Sequence, residues 1–253
     1  MNTPLGPFEL AAVAAAAVAG GAVNALAGGG TLITFPVLTA VGVPALAANI
    51  TNTIALCPGH VGATMAQSAE LAGQRTRLAR IVPAGIVGGL AGGFLLLHTG
   101  ERTFREVVPL LLFASSVLLA AQDRVKSFLQ ARGHHAGHEL AAPAAVAVAA
   151  VYGGYFGAGL GVILLATLGL VLDEPLPRLN ALKQVVALAA NVAAALFFLF
   201  SDQVQWTAAL AMAAGALAGG AIGGNLATRV DAAALRRVMV AVGLVLTVAY
   251  LVR

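Results

Sequence analysis

Lys183 is the single basic residue placed inside a hydrophobic run, LNALKQVVALAANVAAALFFLF, residues 179–200. A lysine at the centre of a membrane helix costs about 2.5–3.5 kcal/mol, so such a residue faces a cavity or a partner. It can also snorkel, since it lies about a turn from the predicted helix start and its stem is long. No Asp or Glu falls within any central hydrophobic segment, so the chain offers Lys183 no evident counter-ion. A bound anion is then the natural partner. One contact at about 4 Å and an effective dielectric near 20 is worth about 4 kcal/mol before desolvation, comparable with the insertion cost. The same lack of acids argues against metal-cation transport and against a carboxylate proton relay.

Two glycine-rich breaks, GGG (28–30) and GAGLG (157–161), interrupt hydrophobic runs. Unwound glycine backbone exposes N–H groups, and a half-helix that starts there adds the positive end of its dipole, so a pair of breaks can cradle an anion. The competing reading is that these glycines only let helices touch. That reading is preferred for Gly88-Gly89-xx-Gly92-Gly93 and Gly219-Gly220-xx-Gly223-Gly224, with small residues at four-residue spacing. Helices after the breaks carry the neutral polar residues Asn49, Thr51, Asn52, Thr53, Asn180, Gln184 and Asn191. These donors suit either oxyanion oxygens or freed backbone groups. The candidate substrate-binding set is therefore Gly28, Gly29, Gly30, Asn49, Thr51, Asn52, Gly159, Gly161, Asn180, Lys183, Gln184 and Asn191. His60, after Pro58-Gly59 where a kink is expected, reads as a coupling residue or as a packing histidine. His134, His135 and His138 read as a solvated loop, and the lone Cys57 as a packing residue. No paired acids, HExxH or Ser-His-acid arrangement lies in the apolar segments, so an enzyme is disfavoured and neither cofactor nor metal is expected.

The elements that must position these groups follow from composition. The chain has 253 residues, 60% hydrophobic and 9% charged, with a mean hydropathy of +0.92. A soluble domain carries about 25% charged residues, so this is an all-α polytopic membrane protein. Its basic residues cluster at segment ends without aromatic interleaving, which points to membrane orientation and away from nucleic acid.

A constant, ungapped offset of 131 residues pairs Gly28 with Gly159, Gly30 with Gly161, Pro44 with Pro175, Asn49 with Asn180, Asn52 with Lys183 and Arg105 with Arg236. The reading is two tandem repeats, 1–122 and 141–253, joined by a polar cytoplasmic linker, 123–140. Each repeat is expected to hold a glycine-broken half-helix pair followed by three transmembrane helices. If the pair crosses the bilayer the halves are parallel, and Lys and Arg divide seven against six between the two faces. If it dips and returns the halves are inverted, and they divide ten against three. The positive-inside rule favours inverted repeats with both termini outside. Inverted repeats with broken helices are a secondary-transporter architecture, with the substrate at the midplane.

The runs GGGTLITFPVL, ANITNTIALCPG, YGGYFGAGLGVILL and NALKQVVALAANVAAALFF resemble the sulfite exporter TauE/SafE family of membrane permeases, over nearly the whole chain. The resemblance implies transport of small sulfur-containing anions such as sulfite or organosulfonates across a bacterial cytoplasmic membrane. The family pattern carries over to Gly28, Gly29, Gly30, Pro36, Asn49, Thr51, Asn52, Pro58, Gly59, Gly157, Gly159, Gly161, Lys183 and Asn191. Repeat 2 departs at Leu160 and Thr167, where repeat 1 has Gly29 and Pro36. The expected function is alternating-access transport of such an anion, with a permease or channel for a carboxylate or thiosulfate as the alternative. The expected partners are that anion and the bilayer; oligomeric state is left open.

Overall fold

The computed structural model describes residues 5–26, 28–132, 138–226 and 232–252. Nine α-helices cover these residues, with no strand among them: α1 (Pro7–Leu26), α2 (Thr31–Ala40), α3 (Ala45–Ala66), α4 (Arg75–Arg132), α5 (Ala142–Tyr155), α6 (Leu160–Val171), α7 (Leu176–Phe198), α8 (Trp206–Leu226) and α9 (Ala232–Leu251). In a bilayer every backbone group must be satisfied internally, which leaves helices as the form such an apolar chain can take. α4 is broken at Gly100, whose φ of 73° and ψ of 160° end one arm and start another. Among the described residues five stretches are long and apolar enough to cross a membrane: Pro7–Asn24, Arg75–Ala131, Leu176–Phe198, Trp206–Gly223 and Ala233–Leu251. The chain is a multi-pass membrane protein.

Helices α2, α5 and α6 have 10, 14 and 12 residues, about 15–21 Å at 1.5 Å per residue, and are too short to cross alone. α1 departs from its expected half-length: its 20 residues reach about 30 Å, enough to span the hydrocarbon core. α3 continues as helix through Pro58. One further departure concerns continuity. α4 remains helical to Arg132, well into the stretch read as a linker, because RVKSFLQAR contains no helix breaker. His134 and His135 lie outside the described residues, as does Arg229; His138 is exposed.

Pro44 and Pro175 both stand just before a helix, with φ of −53° and −65°, and their ring geometry suits that entry. α3 is further capped by Glu101, whose carboxylate accepts N–H bonds from Ala45 and Leu46, each 2.9 Å. An acid at a helix N-terminus also meets the positive end of the dipole.

Packing crosses between the halves. α1 lies along α8, where Gly215, Gly219 and Gly223 leave room for the backbone at Ala14, Val18 and Ala22. Residue numbers rise together, so these helices run parallel. In the same way α5 lies along the first arm of α4, with Gly88 against Ala147 and Gly92 against Val151. A Cβ at any of these glycines would overlap partner backbone, which is the packing role expected of Gly88, Gly92, Gly219 and Gly223. The second arm of α4 and α9 run antiparallel: Gly243 abuts Ser116, while Arg236 bonds Gln122 and Asp123. A core of Phe35, Phe104, Phe156 and the half-buried Tyr250, with ring centroids 5.6–6.5 Å apart, joins α2, α4, α9 and the second break.

Candidate functional site

The two glycine breaks meet. A Cβ on Gly28 would lie 3.5 Å from the Cα of Gly161. Gly28, Gly157 and Gly159 have φ of 79°, 81° and 79°, the left-handed region that an L side chain rarely adopts. That conformation turns the chain from α1 into α2 and from α5 into α6, with the N–H groups of Gly28 and Gly157 donating to the carbonyls of Val23 and Tyr152 at 3.1 and 3.3 Å, so the turns can face one another.

Between them lies a small cavity lined by Asn24, Gly28, Thr31, Asn52, Thr53, Leu56, His60, Phe156, Gly157, Leu160, Gly161, Lys183, Gln184, Ala187 and Asn191. The α3 contribution, residues 52, 53, 56 and 60, and the α7 contribution, residues 183, 184, 187 and 191, are the same four positions under the 131-residue offset. On a helix that spacing forms one face. Leu56 and Ala187 fall at the middle of their helices, so the cavity lies level with the middle of α3 and α7, with polar residues toward both ends.

Lys183 is 7% exposed. Its ammonium donates to Asn180 Oδ1 at 3.1 Å, and a Cβ on Gly161 would stand 3.9 Å from its Nζ. An ammonium has three N–H groups, so two remain after the Asn180 bond. Among the described residues no carboxylate forms an ion pair with it. Asn52 donates to Thr31 Oγ1 at 3.3 Å, while its Oδ1 is buried without a partner. A buried polar atom without a partner costs about 1–3 kcal/mol, and here it borders the cavity. Asn191 donates to the carbonyl of Ala187 at 2.7 Å. The space open to a water centre is about 20 Å³, enough for one water molecule. Any solute larger than water requires the lining to part.

Of the residues expected from the sequence, the cavity brings together Gly28, Asn52, Gly161, Lys183, Gln184, Asn191 and His60. The others stand behind it. Gly29 faces Leu119, and Gly159 packs against Ser115 and Leu118. Gly30 donates its N–H to Asn24 Oδ1 at 2.8 Å. Asn49 donates to the carbonyl of Tyr155 at 2.8 Å, tying α3 to the end of α5. Thr51 Oγ1 accepts the N–H of Gln205 at 3.0 Å, and Asn180 holds Lys183. Asn24 and Thr31 were absent from the expected set. Asn24 is the one asparagine of the first hydrophobic run, and the reasoning used for Lys183 would have found it. The second break is also held from behind: Tyr152 and Ser115 donate to the carbonyl of Ala158 at 2.6 and 3.0 Å.

Comparison with known proteins agrees over almost the full length. A "Probable membrane transporter protein" of Haemophilus influenzae is 24% identical over 225 residues, covering 89% of this chain and 88% of that protein. "Probable membrane transporter protein YfcA" of Escherichia coli K12 is 23% identical over 246 residues, covering 95% and 89%. No solved structure matches the chain. The family described as Sulfite exporter TauE/SafE matches residues 12–250. With two facing glycine breaks, a buried lysine between them and this match spanning nearly every residue, the chain belongs to the sulfite exporter TauE/SafE family.

Proposed function

We propose that the protein is a secondary transporter that moves a small sulfur-containing anion, sulfite or an organosulfonate, across the bacterial cytoplasmic membrane by alternating access. The observation that carries this reading is Lys183, buried at the meeting of the two breaks, surrounded by neutral donors and without a carboxylate partner among the described residues. The family description and the names of both relatives support transport.

The two halves are inverted repeats in this reading, with both termini outside. Two observations support the inversion. The second arm of α4 and α9, equivalent under the offset, run antiparallel. Arg178 shares a carboxylate with Arg77 through Glu174, and Arg236 pairs with Asp123 beside Arg124. Parallel halves would put Arg178 and Arg236 on the face opposite Arg77 and Arg124.

The test is ligand stabilisation of purified protein with sulfite, sulfate, thiosulfate, sulfonates and carboxylates, compared with Lys183→Gln. A ligand at about 100 times its Kd adds about 2.7 kcal/mol of stability, a readable shift in Tm. Sulfite or a sulfonate is expected to stabilise the wild type and not Lys183→Gln, with the unliganded variant still folded. Wild-type stabilisation of the variant removes Lys183 from the site, and stabilisation by carboxylates or thiosulfate alone reassigns the substrate. Saturable counterflow in proteoliposomes separates a carrier from a channel.

A further inference from the structure

At the ends of the molecule the pseudo-symmetry fails in one specific place. Arg77, at the start of α4, pairs with Glu174 at 2.6 Å and also with Glu139. Gln74 donates to Glu174 at 2.9 Å, and Arg178 donates to its other oxygen at 3.3 Å. Glu174 belongs to the connection between α6 and α7, and Glu139 to the turn before α5, so the cluster ties the first half of the chain to the second. The Arg77 and Glu174 side chains are only 18% and 12% exposed, well shielded for an ion pair, so their attraction is screened less than that of a surface pair.

The offset assigns each member an equivalent at the opposite end. Gln74 corresponds to Gln205, identical and buried like it. Arg77, Glu139 and Glu174 correspond to Ala208, Phe8 and Val43, all apolar. One end is thus fastened by an Arg–Glu cluster, whereas the other is held by the Gln205–Thr51 hydrogen bond and by Glu101 capping α3, with no ion pair at the equivalent positions.

We propose that Arg77, Glu174 and Glu139 form an ionic latch that holds the Arg77 end of the central cavity closed. The proposal rests on the alternating-access reading. Glu174 lies just before α7, the helix that carries Lys183, so releasing it frees the α7 N-terminal turns to move away from α4. At the opposite end the equivalent positions are uncharged, so that end separates without breaking an ion pair there. The two closures therefore respond differently to charge substitutions, although the cavity between them is pseudo-symmetric.

The test reads cavity accessibility directly and needs no ligand. In a Cys57→Ala background, a cysteine at the cavity-lining position Thr53 is exposed to a membrane-impermeant maleimide in right-side-out and in inverted vesicles. Arg77→Gln and Glu174→Gln are expected to raise labelling from the Arg77 face about 10-fold, the response to a comparable shift in the open fraction, without raising it from the other face. Glu139→Gln, which removes the more exposed partner, is expected to give a smaller rise. The charge-reversed pair Arg77→Glu with Glu174→Arg is expected to return labelling toward the parent, and it decides the matter should the single variants fail to fold. Unchanged labelling in the single variants, an equal rise from both faces, or a reversed pair as accessible as a folded single variant overturns the latch. Because no anion is present, loss of the latch leaves the Lys183 binding test standing, and failure of anion binding leaves the labelling result interpretable.

Discussion

Lys183 and Asn52 occupy equivalent positions in the two halves, yet one is charged and the other neutral. The cavity lining is therefore asymmetric, with one cation on the α7 side and an unpartnered carboxamide oxygen on the α3 side. The contact between the breaks is most exposed to test at Gly161. A Cβ there would meet Gly28 Cα at 3.5 Å and the Lys183 side chain at 3.8 and 3.9 Å, ordinary van der Waals distances, and Gly161 has no positive φ. Gly161→Ala is thus expected to fold with Tm within a few degrees of wild type. Its methyl enters a space of about 20 Å³, so anion affinity should fall by on the order of 10-fold or more, since overpacking a filled site costs about 1–3 kcal/mol. Ligand titration of the purified variant checks this, and unchanged affinity would mean that the anion does not sit between the breaks. Lys183 was legible in the sequence because a charge in an apolar run demands an explanation. Thr31 was not, because a threonine at the start of a helix is ordinary and only the meeting of the breaks gives it a role.

Among the elements, α3 has the length of a membrane helix but carries Asn49, Thr51, Asn52, Thr53 and His60, and it is tolerated because α1, α7 and α8 pack around it. Its polarity marked it as a site helix from the sequence. The length of α1 was less legible: the glycine break marks where a helix ends and says nothing of where it begins. The connection before α7 carries a pH dependence. Burial alone would raise the Glu174 carboxyl, but hydrogen bonds from Gln74, Arg77 and Arg178, with the Arg77 charge, outweigh it and hold the group below the ordinary carboxylate range. A carboxylate depressed in the folded state contributes stability that is fully present above its unfolded pKa, about 4.3, and is lost as pH falls through the lower folded value. Thermal unfolding in detergent is expected to show an acid-side loss of stability that is shallower in Glu174→Gln. The variant should also be less stable near neutrality, where the wild-type carboxylate is ionised. Parallel acid limbs for the two proteins would assign that loss to other groups.

At the scale of the whole molecule, each half completes the other: α1 packs on α8, and α5 on the first arm of α4. The gapless offset was visible in the sequence, but this exchange of partners was not, because small residues at four-residue spacing mark a contact face without naming what fills it. The exchange fixes relative directions, and topology follows from one further choice, the face that is cytoplasmic. Thr76, in the first turn of α4, stands among Arg75, Arg77 and Arg80, while the corresponding stretch around Gln203 has no basic residue. Basic segments are retained in the cytoplasm, and the proposed inversion would send these two corresponding stretches to opposite faces. In a Cys57→Ala background, a cysteine at Gln203 is expected to react with an impermeant thiol reagent in intact spheroplasts, and one at Thr76 only in inverted vesicles. Reaction of both from the same face would require parallel halves. The antiparallel pairing of Arg236 with Asp123 would then lose its topological meaning, and the ionic latch would no longer close one face against the other.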